Sequence, residues 1–99
     1  MATPAGQTFV AVLHAGHKQA AAQVPFDPAR QWQSPAVALW PGRRGHRVHV
    51  SAAGEAFDSA IVARASRHWL LVDDAVRDAA GWSIGDAIAF TVTPARTTP

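Results

Sequence analysis

A strand, a short capped helix and another strand are written twice in this chain, matching in element order and punctuation far more than in residue identity. The second copy reads Trp69-Leu70-Leu71-Val72, then Asp73-Asp74-Ala75-Val76-Arg77-Asp78-Ala79-Ala80-Gly81-Trp82, then Gly85-Asp86 and the alternating Ala87-Ile88-Ala89-Phe90-Thr91-Val92. The first runs Ala22-Gln23-Val24-Pro25 into Phe26-Asp27-Pro28-Ala29-Arg30-Gln31-Trp32 and, after a basic loop, His46-Arg47-Val48-His49-Val50. Such a repeat constrains fold and implies two halves in a pseudo-twofold arrangement. It does not point to a reaction.

Around the repeat, residues 8–13 are β-branched and aromatic enough for a strand, and His14-Ala15-Gly16-His17 supplies its turn. The returning strand runs over 18–24 and ends at Pro25. Asp27-Pro28 is a helix start, since Asp caps free amides and Pro is preset for the first turn; Gln33-Ser34-Pro35 stops the helix. Residues 40–45 read as a loop, 46–52 and 56–63 as strands joined at Gly54, and 68–72 as a further hairpin strand. Asp73 or Asp74 caps a helix with Ala75, Val76, Ala79 and Ala80 on one stripe, and Gly81 closes it. A last strand ends near Thr93-Pro94. Six short strands and two short helices carry too little helix to cover a parallel sheet, so the expected fold is mostly β, a small closed or partly open six-stranded β-barrel with the helices at its ends.

With 99 residues, 48% of them hydrophobic, the chain is expected to form a single β-barrel domain over 1–99, frayed at about 1–6 and 95–99. Cysteine is absent, which excludes disulfides, thiolate zinc sites and thiol nucleophiles and fits a reducing compartment. With neither a leader pattern nor a membrane-length apolar run, the sequence predicts a soluble, cytoplasmic protein without cofactor or metal. An isoelectric point near 10.5 suggests a polyanion partner, yet 9 basic and 7 acidic residues leave a net charge of only +2. Without Tyr or Cys to titrate above neutrality, a small excess of cations drives the isoelectric point far up. The net charge is the better guide to the field, and it is weak.

Residues 8–13, Val24-Pro25, Arg47-Val48-His49-Val50 with Gly54 and Phe57, and Val76-Arg77-Asp78-Ala79-Ala80-Gly81 with Gly85-Asp86 together resemble a bacterial family of unknown function. Its members are small β-barrels, also found fused to YdeI/OmpD-associated domains. The Arg77, Gly81 and Gly85-Asp86 segment is also similar to the half-barrel of AbrB/MazE-type transcription factors, which implies a barrel of double-split or swapped-hairpin type completed within one chain. The chain departs from the first family at Ala53-Gly54, where Asn-Gly is usual, and in the loop holding Trp40 and Pro41. That family brings no established catalytic residues.

Several constellations compete for function. Arg43, Arg44 and Arg47, with His46, His49 and Trp40 nearby, are candidate nucleic-acid contacts, against a plainer reading as a solvated strand entrance where Val48 and Val50 point inward. Trp32, Trp40 and His68 are the candidate ligand-binding residues at a barrel end, while Trp69 and Trp82 read as core. His14 and His17 flank a turn, but their spacing and that of His46, His49 and His68 make a poor metal set. Ser59, Asp58 and His68 have the residue types of a triad, yet adjacent Asp58 and Ser59 project to opposite faces of a strand. Asp73, Asp74 and Asp78 read as helix capping. No residue set selects a catalytic role. The first reading is therefore a non-enzymatic binding or regulatory barrel with a protein or small-molecule partner and no membrane role, homodimerisation being left open. The alternatives are an enzyme or small-molecule binder with a Trp/His-lined pocket, and AbrB-like DNA binding through the 43–47 loop.

Overall fold

A computed structural model describes residues 6–16 and 19–95. Among them, seven strands and two helices follow one another as β1 (Gln7–His14), β2 (Ala20–Val24), α1 (Pro28–Gln31), β3 (Val37–Trp40), β4 (Arg43–Ala52), β5 (Glu55–Arg64), β6 (Arg67–Val72), α2 (Asp74–Ala80) and β7 (Ala87–Pro94). Six strands close an antiparallel ring in the order β4-β5-β6-β2-β1-β7 and back to β4, and β3 adds to β4 as a seventh. The mostly β, six-stranded barrel with two short helices is as the sequence implies. The departures are β3, which lies in the connection between the helix stop at Pro35 and the next strand, and the start of β4 at Arg43, within residues read above as loop. Only Leu39 of the four β3 residues is buried, so no alternation marks β3 in the sequence. No helix of the described residues is long and apolar enough to cross a membrane.

The repeat has a topological counterpart. Exchanging β1, β2, α1 and β4 for β5, β6, α2 and β7 leaves the pattern of barrel pairings unchanged. β2 pairs with β6 and β4 with β7, while β1 bridges β2 and β7 just as β5 bridges β6 and β4. The bridging strands divide their lengths between neighbours: β1 pairs with β7 over 7–12 and with β2 only at Leu13 and His14. Beside each bridging strand stands an aromatic from a helix end. Phe26, ahead of α1, packs edge-on to Phe9 of β1 at 6.1 Å, and Trp82, past α2, edge-on to Phe57 of β5 at 6.3 Å. Phe9 and Trp82 both reach Phe90, which is fully buried, at 5.9 and 5.8 Å.

Both helices begin on an aspartate. The Asp27 carboxylate accepts from Ala29 N–H, and that of Asp73 from Val76 N–H, both at 2.9 Å. Each satisfies an amide that has no partner within its own helix. Gly81 ends α2 in the left-handed region at φ 76, where a Cβ would be penalised.

Alternation in β4 and β7 turns Val48, Val50, Phe90 and Val92 inward, and Leu70 and Val72 complete the same core from β6. Fully burying side chains of this size contributes about 1.5–3 kcal/mol each. β5 differs because both its faces are covered. Ile61 joins the barrel core, whereas Ala60 and Val62 pack outside it with Leu39 of β3, against Trp69 and Leu71. The β3–β4 hairpin is thus an arm folded over the outside of the barrel. Gly45 permits this approach: a Cβ there would stand 2.2 Å from the Ile61 carbonyl oxygen and 2.9 Å from Leu39 Cδ1.

Replacing Gly45 by Ala is expected to lower stability by about 1–3 kcal/mol, the usual range for overpacking. Replacing Ala53 by Asn should instead raise it by up to about 1 kcal/mol, because Ala53 and Gly54 both have positive φ, at 49 and 83, as a type I′ turn requires and Asn tolerates. Urea unfolding midpoints check both; a neutral Gly45→Ala would contradict the close contact.

Candidate functional site

Three hairpin ends meet on the outside of the barrel. The tip of the arm, the β5–β6 hairpin and the end of β1 with the start of β2 surround an open groove of about 300 Å³. Its larger apolar lining groups are Val62 and Leu71 with the indoles of Trp40 and Trp69, and its charge among the described residues is Arg43 and Arg64. Among the described residues no Asp or Glu lines it. Each lining group has a local reason to be there. Pro41-Gly42, with Gly42 at φ 82, turns the arm tightly enough to pair Trp40 with Arg43. Trp40 stays 45% exposed, unusual for so large an apolar surface. Alternation in β6 sends Leu70 and Val72 to the core and leaves Trp69 and Leu71 on the outer face. Trp69 is held by His14, whose ring meets it edge-on at 5.7 Å.

The basic stretch is engaged with the arm. Arg44 Nη2 donates to Ala36 O at 2.8 Å and Arg47 Nη2 to Leu39 O at 3.2 Å, so both guanidiniums bond carbonyls within or just before β3. Arg43 Nη1 donates to Ala63 O of β5 at a longer 3.3 Å. The plainer sequence reading makes this stretch a solvated strand entrance, whose charges should cost stability little when removed. In the fold at least Arg44 and Arg47 help hold the arm down.

With fold and groove in view, comparison with known proteins adds a family assignment. The pattern of a domain of unknown function, DUF1905, matches residues 9–92. The chain belongs to this family. The match covers all the barrel strands except the outermost residues of β1 and β7. Curated proteins give no match.

The remaining candidate residues of this DUF1905 domain are scattered. Trp32 packs edge-on with Phe26 at 5.5 Å and with His46 at 6.3 Å, against the barrel core, and it does not line the groove. His68 also lies away from the groove lining, with Nε2 at 3.7 Å from the Asp27 cap. Of the ligand-binding trio expected from sequence, only Trp40 stands at the groove. Among the described residues no three metal-ligating side chains converge. His46 Nε2 lies 2.7 Å from Ser34 O, and His49 Nδ1 lies 2.6 Å from Asp58 on the exposed surface. His17 lies outside the described residues. The Ser59 hydroxyl donates to Leu71 O, so Ser59, Asp58 and His68 have three separate sets of partners. Asp73 caps α2 and Asp74 pairs with Arg77 at 3.3 Å, while Asp86 accepts from Ser83 N–H in the turn before β7.

A second recess of about 320 Å³ shares Gln19, Trp40 and Leu71 with the groove and extends past them to His49 and Asp58. Its charged groups already have partners, Asp58 with His49 and Arg47 with Leu39 O. The groove proper offers freer cations, because Arg64 makes no hydrogen bond or ion pair with any described residue. Sequence reasoning missed Arg64, Trp69 and His14 as groove residues. The available signal is the outward alternation of 69 and 71 beside a tight hairpin at 65–66.

Replacing Arg44 and Arg47 together by Ala is expected to cost about 0.5–1 kcal/mol per lost hydrogen bond. Amide exchange over residues 37–40 should rise while the β1 and β7 amides keep their protection. Unchanged exchange in β3 would show that the arginines do not hold the arm.

Proposed function

We propose that this chain is a single-domain, cytoplasmic barrel acting as a non-enzymatic binding module, with a small ligand seated in the groove beneath Trp40. The observation that carries the reading is the convergence of two indoles and two cations from two separate hairpins on one concave surface of ligand-accommodating size. A half-exposed Trp on a tight Pro-Gly turn is costly to maintain in water, and a stacking ligand would offset that exposure.

Two observations favour binding over catalysis. The Ser59 hydroxyl is engaged by a backbone carbonyl instead of by a base, and the His49–Asp58 pair stands on open surface with side chains 61% and 81% exposed. The AbrB-like reading, with DNA held by Arg43, Arg44 and Arg47, has less support. Their donors reach arm and strand carbonyls, and a net charge of +2 gives little long-range attraction for a duplex.

A panel of monocyclic aromatic fragments, screened by saturation-transfer NMR against the intact protein, tests the module. Binders should weaken about fivefold or more in Trp40→Ala, in keeping with the loss of one stacking partner. They should bind unchanged in Trp32→Phe, which leaves the groove intact. Fragments indifferent to Trp40→Ala, or sensitive only to Trp32, would move the site away from the groove.

A further inference from the structure

We propose that the groove selects a planar ring bearing one anionic group, either a carboxylate or a phosphate monoester, with the ring against Trp40 and Trp69 and the anion toward Arg64 and Arg43. The proposal rests on the groove being the ligand site and adds the chemical class of the ligand.

Charge is the first argument. Arg43 and Arg64 line the groove, no described Asp or Glu lines it with them, and neither is in an ion pair with a described residue. A guanidinium has five N–H donors. Arg43 gives one to Ala63 O at 3.3 Å, and Arg64 gives none to a described residue. Two largely unspent forks on one concave surface match an oxyanion, which accepts such donors in parallel pairs. A cationic ligand would find no counter-charge there, and a neutral one would leave both arginines without an anionic partner. The second recess lacks this quality, since its Arg47 and Asp58 are already bonded.

Shape is the second argument. The apolar lining is dominated by two indoles, and His14, edge-on to Trp69, fixes the orientation of one of them. Aromatic walls favour flat π-surfaces, which stack on them. Size is the third. A volume of about 300 Å³ is at the lower end for ligand clefts, enough for one ring system and its head group but small for a dinucleotide.

The test is isothermal titration of the full chain with two matched sets of probes: indole-3-acetate, indole-3-acetamide and acetate for the carboxylate, and adenosine monophosphate, adenosine and inorganic phosphate for the phosphate. In at least one set the charged ring should bind about tenfold or more tightly than either part alone, the effect of a charge-assisted contact. The set that shows this identifies the head group. Arg64→Gln should erase the advantage over the neutral ring. Raising salt from about 50 mM to about 500 mM should weaken only the charged probe. Arg64 stands exposed beside a turn, and the melting temperature of the variant establishes that it is folded. A neutral ring that matches the charged one, and is lost in Trp40→Ala, would overturn the ligand class but leave the binding site standing. Failure of all six probes, or binding indifferent to both Trp40→Ala and Arg64→Gln, would overturn both.

Discussion

One edge of β4 is shared between two neighbours. At its start Arg43, Arg44 and Gly45 pair with β3, and further along Val48, His49, Val50 and Ser51 pair with β7, while the other edge pairs with β5 from Gly45 to Ala52. The later contact closes the barrel. The earlier one carries β3 outward and lays Leu39 over Ala60 and Val62. Because strand neighbours stand only about 4.8 Å apart, a chain folded back over this corner needs a position without a side chain, and Gly45 is that position. Barrel closure and the outer groove are therefore two consequences of how one strand divides its edge.

Turning the arm over the barrel changes what the neighbouring residues do. β5 would otherwise show a polar outer face, yet it presents Ala60 and Val62 to the arm, which accounts for the unbroken apolar run Ala60-Ile61-Val62-Ala63. Arg44 and Arg47 become fasteners for the arm through the carbonyls of Ala36 and Leu39. Trp40, at the tip, is carried into a position where it meets water on one side and the groove on the other. Trp69 and His14, from strands that are not sequence neighbours, complete the wall.

The barrel was legible in the sequence for reasons of local chemistry. Asp27-Pro28 and Asp73 with Gly81 mark helix ends by satisfying or terminating backbone groups, and alternation in Val48, Val50, Phe90 and Val92 fixes the inward face. The site was not legible to the same degree. Trp40 could be singled out, being a large aromatic beside a Pro-Gly turn, but Trp32 and His68 drew attention by type alone and pack around α1. Arg64, Trp69 and His14 come together only through strand pairing, Val62 with Trp69 across β5 and β6 and Ala21 with Leu71 across β2 and β6. The β5–β6 register belongs to a local hairpin, but the β2–β6 register depends on a long-range contact that no local window contains. β3 escaped notice for the opposite reason: four residues with one buried side chain carry no period.

We place the ligand on the outside of the barrel, beneath the arm. The protein has four tryptophans, hence four indole N–H signals in a nitrogen–proton correlation spectrum, and the fold assigns them to two sites. Trp40 and Trp69 line the groove, whereas Trp32 and Trp82 pack against the barrel core. Titration with indole-3-acetate or adenosine monophosphate, whichever binds, should move the Trp40 and Trp69 signals together along one saturable curve and leave those of Trp32 and Trp82 in place. Shifts confined to Trp32 or Trp82 would put the ligand at a barrel end and contradict the account.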